Sequence, residues 1–412
     1  MTLLSEQVIN KTKTDYNQRQ GEVMFRLAKE ELEKLGASIT AKEIFQQPGL
    51  WQEAYQLYVS QLEAIESFLS GIKEKHDLIQ VIFTGAGTSD FVGQSIANYL
   101  NQVNDLKHIR FSTVGSVELV GRPYDYFQAD IPTILVSFAR SGNSPESLAA
   151  VEIAKQLVDE LYQVTITCAP EGKLAVAAEG DTDNLLLLQP AGSNDKGFAM
   201  TGSFSCMSLT VLLVFSPASQ EEKAHWVETI VRLGQDVLDR EDYVQDLVNL
   251  DFERVIYLGA GGFYGLAHEA QLKILELTAG KIATMYESPL GFRHGPKSFI
   301  NNKTLVILFA SNDAYTRQYD VDLLNEVHGD GIAERIVALS ADKLVGTEAA
   351  NFVLAEGGAG LPDVFLTFPY IIFAQTVSIM SAIKCKNLPD TPSPTGTVNR
   401  VVQGVIIHPL EK

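Results

Sequence analysis

The feature that most constrains this chain is an internal repeat. DLIQVIFTGAGTSDFVG begins at Asp77, and DFERVIYLGAGGFYGLA begins at Asp251. Aligned without gaps at an offset of 174 residues, Asp77/Asp251, Val81/Val255, Ile82/Ile256, Gly85/Gly259, Ala86/Ala260 and Gly87/Gly261 are identical. A short apolar run, then Gly-Ala-Gly, then a helical pattern is the opening of a βαβ unit. Each copy continues the alternation, with IPTILVSFA, YQVTITCA and NLLLLQPA in the first half and TLVILFAS, RIVALSA and FVLAEG in the second. Continuous apolar runs mark parallel strands buried on both faces. The pattern predicts an α/β chain of two tandem domains, each a doubly wound parallel β-sheet flanked by helices.

The expected division is an N-terminal helical extension over 1–50, a first domain over 51–235, and a second domain with a C-terminal tail over 236–412. In the extension, Val23, Phe25, Leu27 and Leu32 form only a partial apolar stripe. Its helices are therefore expected to pack on something else, such as a partner subunit.

Charge narrows the partners. Lys+Arg 32 against Asp+Glu 51 gives a net −19, which argues against nucleic acid or an anionic membrane, since both reward a basic face. A small anionic substrate needs only a few local donors. Cys168, Cys206 and Cys385 form no Cys-x-x-Cys pair, so a reducing, cytoplasmic setting is expected, without disulfide or zinc site. The N-terminus lacks the basic start and apolar core of a signal peptide. Two charge-free stretches, 197–220 and 364–383, are interrupted by proline and polar residues, which predicts buried core helices rather than membrane spans.

Neither glycine turn completes a dinucleotide fingerprint. Asp90 and Tyr264 stand where the third glycine belongs, and no acidic ribose ligand follows, so NAD is not expected. What remains is Gly87-Thr88-Ser89, a turn whose hydroxyls suit a sugar or phosphate oxygen. A later strand ends in Arg140-Ser141-Gly142-Asn143-Ser144-Pro145. Pro145 suits a helix N1 position with Ser144 as N-cap. Free N–H groups there, with the Ser141 and Ser144 hydroxyls, make a phosphate cradle. The bland alternative is an ordinary capped helix. Two hydroxyl-rich loops at the ends of consecutive strands favour the oxyanion site, where Arg140 adds charge or is simply solvated.

After the second glycine turn, Glu269, Lys273 and Glu276 are spaced i, i+4, i+7 and share one helix face. They form either a surface ion pair or an acid–base group at the mouth of a parallel sheet. His294 lies in a loop whose Gly295 and Pro296 fix the backbone. A carboxylate and a histidine near one phosphate site would serve proton transfer beside a carbonyl. No ligand cluster for a metal or an organic cofactor is evident, and none is expected.

Thr88-Ser89, Ser141-Gly142-Asn143-Ser144, Glu269-x3-Lys273-x2-Glu276 and Arg293-His294-Gly295-Pro296, in that order, resemble the SIS (sugar isomerase) family over roughly residues 50–405. The tail Thr395-Gly396-Thr397-Val398-Asn399-Arg400 resembles its AgaS-type subgroup, described as galactosamine-6-phosphate deaminases or tagatose-6-phosphate ketose/aldose isomerases.

The resemblance implies two tandem SIS domains. It places Gly87, Thr88, Ser89, Arg140, Ser141, Asn143, Ser144 and Thr201 at the sugar phosphate. Glu276 falls at the general base moving a proton between C1 and C2, and Glu269 and Lys273 near the reacting carbons. His294 falls at the residue that opens the sugar ring from a neighbouring subunit, which implies a homodimer or homotetramer. Departures from the related glucosamine-6-phosphate synthase stand beside this. No glutaminase segment precedes the repeat, which favours ammonia release over synthesis. The synthase's C-terminal lysine has no counterpart, and its acidic residue before His-Gly-Pro aligns with Gly291, leaving Glu287 as a substitute. The activity implied is conversion of galactosamine 6-phosphate to tagatose 6-phosphate and ammonia. A non-deaminating isomerase and a phosphosugar sensor are the alternatives.

Overall fold

The structure is a computed structural model and describes residues 23–402 and 404–411. The part of the expected N-terminal extension before residue 23 lies outside the described residues. In the first half, β1 (Ile79–Thr84), β2 (Ile109–Thr113), β3 (Thr133–Ala139), β4 (Leu161–Thr167) and β5 (Asn184–Leu188) form a parallel sheet of order β2-β1-β3-β4-β5. In the second, β6 (Arg254–Gly259), β7 (Ala283–Glu287), β8 (Thr304–Phe309), β9 (Arg335–Ser340) and β10 (Ala350–Val353) repeat that topology as β7-β6-β8-β9-β10. The expected doubly wound pair is what forms.

The repeat extends to backbone detail. Gly87 caps α1 (Thr88–Val103) at φ 58°, ψ −129°, and Gly261 caps α2 (Gly262–Leu277) at φ 59°, ψ −125°. Only glycine adopts that conformation without strain, because a Cβ would meet the neighbouring carbonyl.

Strands β2 and β7 are short, half-exposed edges, and the apolar-run pattern does not pick them out. They correct one detail. The two hydroxyl-rich loops follow β1 and β3, which are not consecutive in the chain. They are neighbours in the sheet because β2 pairs on the other side of β1. A reversal of strand order of this kind opens a crevice at the strands' C-terminal ends, where α/β proteins bind ligands.

One apolar core runs through both halves, containing Trp51, Phe204, Phe263 and Phe365, with a smaller cluster on the outer face of each sheet. The charge-free stretches become α3 (Gly202–Phe215), buried at every residue, and α4 (Asp363–Lys384). The latter is long and apolar enough to cross a membrane, but its apolar window lies wholly inside the protein.

The extension's helices pack on this chain itself. Helix Ser38–Phe45 buries Ile44, and helix Gln47–Ser60 buries Leu50 and Trp51 in the main core. Trp51 also donates through Nε1 to Ser205 Oγ on α3 at 2.9 Å. The boundary drawn at 50/51 falls within Gln47–Ser60, and that at 235/236 within helix Gln220–Asp239.

The halves meet where α1 and α2 cross. A Cβ on Gly265 would lie 2.5 Å from the Gln94 carbonyl carbon and the Ser95 nitrogen, so glycine permits the backbones to touch. His268 stacks between Phe91 of the first half (3.8 Å) and Tyr286 of the second (4.0 Å).

Candidate active site

The close crossing delivers side chains of the second half to the crevice of the first. Lys273 Nζ donates to Thr88 Oγ1 at 2.9 Å and to Glu276 Oε2 at 2.6 Å, and lies 3.4 Å from Glu269 Oε1. Glu269 and Lys273 are fully buried, whereas Glu276 keeps 22% of its side chain open. A surface ion pair is therefore excluded. The group is an interior charge cluster with one carboxylate facing the opening.

Burial dominates its electrostatics. It pushes the Glu269 carboxyl up to about 8, with Glu276 adding to the rise and Lys273 opposing it. Burial also works against the Lys273 charge, but the two carboxylates outweigh it and hold the ammonium above its ordinary value. Burial thus favours the protonated form of Glu269 beside the Lys273 ammonium, which limits the charge held in the interior.

Of the cradle residues, Thr88 and Ser89 are buried at the start of α1, and nothing fills the space a side chain on Gly87 would occupy. Ser144 caps helix Pro145–Leu157 with its backbone only, since its side chain makes no capping bond. The hydroxyl is not spent on the helix, as the bland reading required. Ser141 Oγ takes at most the long 3.4 Å approach of Asn143 N–H.

Three expected ligands are otherwise engaged. Asn143 is exposed, and its amide ties Ser141 O to Lys173 N. Thr201 donates its hydroxyl to Asp195, which also takes the N–H groups of Thr201, Gly202 and Ser203. Arg140 is not solvated. It is 7% exposed and donates to the carbonyls of Gly197, Phe198 and Arg400. Burial and the nearby Arg400 lower its proton affinity, while Asp195, Glu276 and Glu43 support its charge.

His294 is exposed on the loop after helix Pro289–Phe292. Arg293 and Lys297 on either side anchor that loop to Glu326, and Lys297 also reaches Asp330. Among the described residues no hydrogen bond or ion pair joins the His294 ring to Glu269, Lys273 or Glu276. Glu287 Oε1 accepts from Ser288 N at 2.7 Å and lies 2.6 Å from where a Gly291 Cβ would stand, so its carboxylate occupies the space beside Gly291. Sequence reasoning missed Met200, whose Sδ lies 3.9 Å from Ser89 Oγ, and the carboxylates of Asp195 and Glu43, which hold Thr201 and the Lys196–Gly197 backbone. A lone glutamate on a short amphipathic helix carries no signal of that kind.

A paired doubly wound fold with hydroxyl-bearing loops and a carboxylate–lysine helix is the setting of the family match: the SIS domain family matches residues 76–216. More narrowly, the chain belongs to the AgaS family. It is 42% identical to the D-galactosamine-6-phosphate deaminase AgaS of Escherichia coli O157:H7 over 90% of this chain and 96% of that protein. A crystal structure from Clostridium novyi NT superposes with a TM-score of 0.88 at 43% identity, covering 94% of this chain and all of that one. The Escherichia coli tagatose-6-phosphate ketose/aldose isomerase superposes with a TM-score of 0.81 at 38% identity, covering 90% of this chain and 97% of its own.

Proposed function

We propose that this chain is a hexosamine-phosphate deaminase that converts galactosamine 6-phosphate and water to tagatose 6-phosphate and ammonia. The observation that carries the reading is the insertion of Lys273, Glu269 and Glu276 from one half at Thr88 in the cradle of the other. The phosphate binds the α1 turn and the Ser141–Ser144 loop, with helix N–H groups as donors. Glu276, the one member of the group whose side chain is partly open, removes the C2 proton of the open-chain 2-amino aldehyde. The electron pair moves to form the C1–C2 double bond, and the neutral Glu269 carboxyl donates towards the C1 oxygen. Returning the proton to C1 leaves an imine at C2. Water adds there and ammonia departs, leaving the ketose. Positioned acid–base groups of this kind contribute about 10²–10⁴-fold.

Ring opening falls to His294, reaching over from a second copy, so the active form is a homodimer or homotetramer. Three free thiols, two of them buried, suit a cytoplasmic enzyme. The galacto preference is supported by the AgaS relatives.

Ammonia release from galactosamine 6-phosphate and, separately, glucosamine 6-phosphate tests the reading. Release with the galacto sugar alone is expected. Aldose–ketose interconversion without ammonia would make the chain a plain isomerase, the activity for which the Escherichia coli structure is named. Tight binding without turnover would make it a sensor.

A further inference from the structure

Glu43 lies on helix Ser38–Phe45, outside both sheets, yet it is buried at 5% exposure. It accepts the N–H of Lys196, and the N–H of Gly197 at 3.2 Å from each oxygen. The same loop is held from its other side by cations. Arg140 takes the carbonyls of Gly197 at 3.3 Å and Phe198 at 3.0 Å, and Arg400 Nε takes that of Asp195 at 3.0 Å.

Three charged side chains from remote parts of the chain therefore bond the backbone of one short loop. Burial and neighbouring Asp195 push the Glu43 carboxyl up to about 8, with the two N–H groups and Arg140 opposing the rise. Holding a loop with a buried carboxylate is costly unless the carboxylate is well paired. Residue 197 must also be glycine for the approach, because a Cβ there would lie 2.9 Å from Glu43 Oε2 and 3.1 Å from Thr40 Oγ1.

The loop leads into the site. Past Phe198 it brings Met200 Sδ to 3.9 Å from Ser89 Oγ in the cradle, and Arg140, which grips it, feels the charge of Glu276. We infer that Glu43 is a positioning residue for the phosphate side of this site: it fixes the Lys196–Gly197 backbone against Arg140 and so sets how closely the 194–201 loop approaches Ser89. The inference rests on the sugar-phosphate reading of the cradle. The acid–base group is held by its own bonds to Thr88, so loss of Glu43 falls on binding rather than on turnover.

The test compares full-length Glu43→Ala, Glu43→Gln and Gly197→Ala with the unsubstituted chain. Ammonia release, calorimetric binding of galactosamine 6-phosphate and thermal unfolding are read for each. In Glu43→Ala, KM and the dissociation constant should rise about tenfold while kcat stays within about threefold. Glu43→Gln, which keeps an acceptor oxygen, should recover most of the loss, and Gly197→Ala should shift KM upwards from the opposite side of the contact. A lower melting temperature with unchanged KM and unchanged binding in Glu43→Ala would overturn the inference, leaving Glu43 a structural group only. If Glu43→Ala does not fold, unchanged binding in both other variants overturns it equally. Calorimetry reads the effect whether or not ammonia is released, so failure of the deaminase reading and failure of this inference are distinguishable.

Discussion

The two halves share topology and even the dihedral angles of their capping glycines, yet they present different groups at the ends of their strands. In the first half the crevice offers Thr88, Ser89 and an uncommitted Ser144 hydroxyl. At the offset of the repeat, Thr88 and Ser89 become Gly262 and Phe263 in the second half. There the loop after β8 is filled by the protein's own carboxylates. Asp320 accepts Ser311 N–H at 2.9 Å, and Asp363 accepts Asn312 N–H at 2.6 Å and the Ser311 hydroxyl. Three carboxylates there, Asp313 included, already occupy the donors an anion would need. The division of labour runs the other way on the crossing helices. Glu269, Lys273 and Glu276 of α2 correspond to Ser95, Tyr99 and Gln102 of α1. On the proposed function, the duplicated fold draws binding groups from one copy and acid–base groups from the other.

The sharpest way to break this division is Glu276→Gln, which should lower kcat by about 10²–10⁴-fold while leaving sugar-phosphate binding nearly intact by calorimetry. Full activity would remove the acid–base role from the second half. Thr88→Val deletes the bond that joins the halves inside the site. Hydrogen bonds to charged groups are worth about 1.5–3 kcal/mol, so kcat/KM should fall roughly 10- to 100-fold, measured in steady state.

A matched pair then separates the two crevices. Ser144→Ala should raise KM roughly fivefold with little change in stability, whereas Ser311→Ala should cost about 1 kcal/mol in denaturant unfolding with KM unchanged. An equal KM effect in both would mean the second crevice also binds substrate.

The smallest effect is a pH slope. Glu269 and Glu43 are raised to about 8 and Asp320 to about 7, each chiefly by burial. Because these values exceed those of the unfolded chain, the folded state holds protons that the unfolded state releases. The stability they carry is complete below the ordinary carboxylate range and is lost as pH rises through about 7–8. The melting temperature should therefore be lower near about pH 8.5 than near about pH 6, and a rise across that window would contradict the assignment.

The parts of this architecture legible in the sequence are those written as local patterns. The central strands are continuous apolar runs, the capping glycines sit in a repeated tripeptide, and the Glu269–Lys273–Glu276 face follows from helical spacing. Strands β2 and β7 were illegible because IRFST and ATMYE interleave polar or exposed residues and contain no continuous apolar run. What Arg140 touches was not legible, because its type announces charge but not its partners. The carbonyls it grips lie 57 and 260 residues away in the chain.

By itself the sequence determined the doubly wound class, the duplication, and which side chains could do chemistry, since periodicity and turn chemistry are local properties of the backbone. Only the tertiary structure decided in which of the two crevices the loop donors are taken up by the protein's own carboxylates. It also decided that Glu269 is a fully buried carboxyl whose proton affinity burial raises, rather than half of a surface ion pair. Both outcomes depend on what packs against a group from far along the chain, and burial with its loss of solvent is not a property any short segment carries.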